Sequence, residues 1–175
     1  MVWQPYAALP EVPLFTLTSR DFNDGEKMPL PQASGVFGAG GEDRSPNLSW
    51  SGSPPQTKSF VITMLDPDAP TVTGIWHWAA IDIPGDVTEL LAAAGDVDAA
   101  ALPGGAFHLQ NDVGMKGFLG AAPPEGHGAH RYIFCVNALD VESLDIEPTA
   151  TPAFMMFALL SHVVGRAFIA GSYER

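Results

Sequence analysis

Three strand-length apolar runs, separated by turn-rich sequence, constrain this chain more than anything else in it. Residues 59–65 (Ser-Phe-Val-Ile-Thr-Met-Leu) are apolar almost without interruption, and residues 75–83 and 131–139 repeat the pattern. A run of this length without polar alternation marks a strand covered on both faces. Three such strands need one another and need cover, so the chain is expected to be mainly β, with a central sheet. Its 18 glycines and 16 prolines point the same way, because so many turn formers do not suit a helical bundle. With 175 residues, 46% of them hydrophobic and 16% charged, one domain spanning 1–175 can bury a sufficient core.

Around these runs the pattern is more local. Residues 12–18 alternate apolar and polar side chains after Pro13, the period of a half-buried strand, and Asn23-Asp24-Gly25 is a turn. Residues 34–43 are glycine-rich loop, and 47–50 form a short strand. The alanines and leucines of residues 87–94 predict two helical turns closed by Gly95. Residues 99–128 are loop-dominated, and a loop of that length in a compact domain is often functional. Thr151-Pro152 opens a helix expected to run to about Arg166, with His162 and Arg166 on one face and apolar residues over the rest. Such a helix belongs to the core, to an oligomer interface, or to both. Its apolar tract is broken by Ser161, His162, Gly165 and Arg166, which excludes a membrane span of about 20 apolar residues.

Eight basic against twenty acidic residues give a net charge of -12, a field that repels phosphate backbones and anionic membrane surfaces. Nucleic acid is therefore not an expected partner. The one cysteine, Cys135, lies inside the third apolar run, which predicts a buried thiol and no internal disulfide. The sequence from Met1 to Tyr6 lacks the basic start and apolar stretch of an export signal, so a cytoplasmic location is expected.

The polar residues of interest stand at the mouths of the apolar runs. Asp66-Pro67-Asp68-Ala69-Pro70 follows the first run, and its two prolines stiffen the backbone. Those aspartates either satisfy turn amides or present a fixed carboxylate. His77 stands between Trp76 and Trp78, and strand alternation predicts that it faces away from both. It is either a hydrogen-bonded core imidazole or a ligand contact. Gly126-His127-Gly128-Ala129-His130-Arg131-Tyr132 leads into the third run. His127 and His130 could share a metal only if their loop curls, and no glutamate or cysteine pair adjoins them, so no metal is expected. The chain has no Gly-x-Ser-x-Gly elbow, no Gly-x-Gly-x-x-Gly and no phosphate-loop lysine, which removes nucleophilic hydrolysis and nucleotide binding by those routes.

Taken in order, Asp66-Pro67-Asp68-Ala69-Pro70, His77-Trp78, Gly120-Ala121-Ala122-Pro123-Pro124 and Gly126-x-Gly-x-His130-Arg131-Tyr132 resemble the phosphatidylethanolamine-binding protein family. Within it the chain is most similar to the bacterial and archaeal Raf-kinase-inhibitor-like branch, from about Leu14 to Tyr173. The resemblance implies a central antiparallel sheet, a smaller second sheet, peripheral helices and a shallow anion pocket at one sheet end. It also implies that Asp66, His77, His130 and Tyr132 form the pocket, with Asp68, Gly120 and Pro124 beside them, and that no cofactor is required. The implied function is capture of a small anion or phosphate head group, coupled to regulation of a partner kinase or protease. The alternative is an enzyme using Asp66 and His130 for acid and base chemistry. The short connection 71–75 and the apolar C-terminal part depart from the eukaryotic pattern; they weigh against kinase regulation of the animal kind and leave apolar surface for a homodimer.

Overall fold

The computed structural model describes residues 4–97 and 102–175. In chain order its elements are β1 (Thr16–Thr18), β2 (Leu48–Ser51), β3 (Ser59–Asp66), β4 (Ile75–Pro84), β5 (Glu89–Leu90), β6 (Phe107–His108), β7 (His130–Leu139), α1 (Pro152–Leu159) and β8 (Val163–Tyr173). Among the described residues the strands form a three-stranded sheet, β1-β2-β5, and a five-stranded sheet, β6-β4-β3-β7-β8. Every pairing within these two sheets is antiparallel.

The three apolar runs are the three inner strands of the larger sheet. All eight residues of β3 are buried, as a run covered on both faces must be. On one face Phe60, Ile62, Met64, Trp78, Phe134 and Val136 pack against Leu17, Leu48, Trp50 and Leu90 of the smaller sheet. On the other, Val61, Ala79, Ile81 and Leu139 pack against Met155 and Leu159 of α1. Each large side chain buried in this way contributes about 1.5–3 kcal/mol.

Two helical expectations fail, and both fail to sheet pairing. Residues 87–94 are not a helix: Glu89–Leu90 pair with Leu48 and Ser49 as β5, and the chain then turns. Gly95 is no helix cap; a Cβ there would meet the Cβ of Phe118 at 2.6 Å, so the position needs glycine for close approach. The second helix stops at Leu159 rather than near Arg166. Beyond it Val163-Val164, β-branched and suited to a strand, begin β8, which pairs with β7 from Leu139↔Val163 to His130↔Tyr173. His162 and Arg166 consequently do not share a helix face. His162 Nδ1 lies 3.1 Å from Asp140, and buried Arg166 donates from Nε to Asn137 Oδ1 at 2.9 Å. The loop expected over 99–128 is mostly loop where it is described, interrupted by β6; residues 99–101 lie outside the described set.

Candidate ligand-binding site

Antiparallel pairing gathers the site. Because β4 and β7 both run against β3, the start of each lies beside the end of β3. Asp66 closes β3, His77 is the third residue of β4, and His130 opens β7. Three polar residues far apart in sequence thus meet at one sheet end. They line a cavity of about 230 Å³ whose other walls include Phe37, Pro70, Ile75, Leu119 and Pro124. A roomier groove of about 700 Å³ lies at the opposite end of β3, beside Lys58, Asp82 and Glu142. The smaller cavity is the candidate, because the buried titratable groups converge there.

Asp66 fills both roles that the sequence left open. Its Oδ1 accepts from the amides of Asp68 and Ala69, each at 2.9 Å, and so holds the turn. Its Oδ2 takes a 2.8 Å hydrogen bond from His130 Nδ1, with both side chains almost wholly buried. A carboxylate only accepts, so Nδ1 of His130 carries the proton and Nε2 is the ring's remaining nitrogen. That nitrogen lies 2.7 Å from Nδ1 of His127, an exposed loop residue.

His77 owes its position to a β-bulge. Met64 pairs with Trp78 and Leu65 with Trp76, so His77 is the extra residue between two ladder pairs. Strand alternation would turn it away from both tryptophans, but the bulge does not. Its ring meets Tyr132 edge to face at 5.3 Å, on the side of the sheet where Tyr132 and Trp78 share a core cluster. Trp76 lies on the other side, near Tyr6, Leu65 and Met156. His77 Nδ1 donates to the Leu119 carbonyl at 3.0 Å, which leaves Nε2 as an acceptor in the neutral ring. Burial holds the His77 imidazole below its ordinary range, against the raising influence of that carbonyl and of the Asp66 charge.

The remaining residues of the implied pocket are placed differently. Asp68 does not line the cavity; it grips Arg131, with Oδ1 at 2.7 Å from Nη2 and Oδ2 at 2.7 Å from Nε. The Arg131 hydrogen bonds hold the Asp68 carboxyl below its ordinary range, so this clamp is intact at neutral pH and weakens as acid protonates the aspartate. Tyr132 is wholly buried behind His77 rather than in the wall. Its hydroxyl has no aligned partner, and burial, reinforced by the nearby Asp66 charge, pushes its pKa far above the usual phenol range. Gly120 is a packing residue: a Cβ there would stand 2.4 Å from the Ala33 carbonyl carbon, and its amide donates to Asp43 Oδ1 at 2.8 Å. Pro124 does line the cavity.

Two residues missed in the sequence frame the site. Asp43, in the left-handed region at φ 50°, accepts from Gly35 and Val36 through Oδ2 at 2.8 and 2.9 Å and from Gly120 through Oδ1. Arg175 donates from Nε to the Pro123 carbonyl at 2.8 Å and from Nη1 to the carbonyls of Phe37 and Gly38, both at 3.4 Å. Arg175 thus stands behind the wall formed by Phe37 and Pro123, tying those two lining residues together through their carbonyls. The signal in the sequence was thin: an acidic residue after a glycine-rich loop, and a lone arginine after the last strand. Cys135 is buried and burial pushes its thiol far up, which removes it as a nucleophile. Among the described residues there is no group of three metal-ligating side chains, and no helix is long and apolar enough to cross a membrane.

Fold and site together define a two-sheet β protein with a buried imidazole and carboxylate cavity at the end of its central strands. The chain belongs to the phosphatidylethanolamine-binding protein family, whose model matches residues 18–174. It is 41% identical over 160 residues to YbcL of Escherichia coli, covering 91% of this chain and 87% of that one. It is 40% identical over 158 residues to YbhB of the same organism, covering 90% and 99%. The crystal structure of YbcL, described as a new member of the mammalian family, matches with a TM-score of 0.89 over 92% of this chain and 98% of that one, at 40% identity.

Proposed function

We propose that this protein is a binding module for a small oxyanion, such as the phosphate of a head group, rather than an enzyme. The observation that supports this reading is a pair of imidazoles from two strands, each anchored through Nδ1 and each facing one cavity. The Asp66 carboxylate already lies in that wall, and no lysine or arginine lines it. An anion therefore binds when an imidazole is protonated, or when the ligand brings a proton that the neutral Nε2 accepts. Arg175 holds the wall residues Pro123 and Phe37 from behind. The net charge of -12 opposes recruitment of free anions, so affinities for them are modest, and ligands with a cationic remainder such as ethanolamine are favoured.

Calorimetric titration with O-phosphoethanolamine, phosphate and acetate tests this reading. Wild type is expected to bind phosphoethanolamine best, and His77→Ala or His77→Gln to weaken it at least about tenfold, the loss of one charge-assisted hydrogen bond. Wild-type protein giving no heat at millimolar ligand would remove the reading.

A homodimer goes with this reading. Phe154 and Phe157 on α1 are 54% and 73% exposed, large apolar side chains on one short helix. Sedimentation is expected to find a dimer that a Phe154→Asp, Phe157→Asp double variant converts to monomer. A wild type that sediments as monomer at tens of micromolar contradicts this.

A further inference from the structure

We propose that His127 is a further ligand-binding residue of this cavity, an imidazole arm that occupies His130 in the free protein and clamps a tetrahedral oxyanion when one enters. The proposal rests on the anion-binding reading above and names the ligand class: phosphate or a phosphate monoester rather than a carboxylate. Its first support is an unusual contact. His127 Nδ1 and His130 Nε2 are 2.7 Å apart, the rings inclined at 66° with centroids 5.0 Å apart. His130 Nδ1 is committed to Asp66, so Nε2 is the only nitrogen through which His130 can reach a ligand. In the free protein that nitrogen is taken. Any anion that uses His130 must therefore replace His127 there.

The surroundings of His127 allow that replacement. Its side chain is exposed, whereas the ring it touches is buried. Gly126 and Gly128 flank it in the left-handed region, at φ 73° and 86°, and a Cβ on either would meet nothing within 4 Å. The loop backbone is meanwhile held, the Gly126 amide by the Arg175 carbonyl at 3.0 Å and the His127 amide by the Pro124 carbonyl at 3.1 Å. The arm can thus move by side-chain rotation alone, without loop opening. Turned outward by one oxygen's width, its Nδ1–H faces the outer oxygens of an anion seated on His77 and His130. A carboxylate is planar, and with both oxygens turned toward the inner pair it projects no oxygen outward. A phosphate has oxygens to spare for the third ring.

This produces opposite signs for two ligands. In His127→Ala, acetate loses only a competitor and is expected to bind equally well or tighter. Phosphate loses a donor and is expected to bind about tenfold more weakly. His127→Asn, which can supply an N–H from a shorter arm, is expected to recover part of the phosphate affinity. Nitrogen-detected imidazole NMR gives a second readout: the His127 Nδ1 resonance is expected to move on phosphate addition in wild type. Equal changes for acetate and phosphate in His127→Ala, or none, overturn the proposal while leaving the cavity reading intact. Wild type that binds neither anion overturns both.

Discussion

An Asp66→Ala variant is expected to melt about 10 °C or more below wild type, and Asp66→Asn to lose less than half as much. The ranking follows from what each oxygen does. Oδ1 satisfies two turn amides and Oδ2 satisfies a buried imidazole N–H, so alanine leaves three donors without their partner at a buried position. Removing one member of a buried pair costs roughly 3–5 kcal/mol. At about 2–4 °C per kcal/mol for a chain of this size, a fall of the stated order results. Asparagine keeps an oxygen for the two amides and can meet His130 with its amide once the ring adopts the other tautomer. Thermal melts monitored by circular dichroism check this. An alanine variant within 3 °C of wild type would show that the turn stands without the carboxylate.

Binding of sulfate is expected to weaken about tenfold per pH unit across neutral pH, with about one proton taken up per anion bound. Sulfate brings no proton in this range, so the protein must supply the charge, and the cavity-facing nitrogen of the neutral His77 ring is an acceptor. Burial sets the His77 pKa below the ordinary histidine value of about 6.5. The free ring is therefore neutral at pH 7, and binding to its protonated form draws in a proton at a cost that grows with pH. In the free protein the same shift acts on stability with the opposite partner. Between the unfolded value near 6.5 and the lower folded value the unfolded chain holds more protons, so the His77 contribution falls as pH falls. An anion in the cavity relieves that loss. Calorimetry in two buffers of different ionisation heat counts the protons. Affinity that stays level from pH 5.5 to 8 would mean that no imidazole carries the anion.

What the sequence revealed and what it concealed divide along one line. β3, β4 and β7 were visible because burial on both faces leaves a mark in the residues themselves. Asp66, His77 and His130 were visible because they end or begin those runs. The tract after Thr151 reads as helix to about Arg166, which is wrong beyond Leu159, because an apolar run fits a buried helix or a strand and the pairing of β8 along β7 decides for strand from Val163. Propensity favours helix at Leu90, and the unfilled edge of β2 overrides it. Asp43 and Arg175 act through backbone groups of distant loops, and no local pattern announces such contacts. The site residues carried over from family likeness divide too: four reach the cavity, while Asp68, Gly120 and Tyr132 support it from behind.

The bulge at His77 makes the architecture and the site separable. Met64 and Leu65 pair with Trp78 and Trp76, and His77 is the residue the ladder does not use. A gene that lost that one codon would encode a sheet with plainer pairing, the same two tryptophans and no imidazole at this place in the wall. A descendant could keep every strand and drop the chemistry in a single three-nucleotide event. The shape of the protein rests on two sheets and their shared core, whereas His77's place in the cavity rests on one residue that the ladder leaves unpaired.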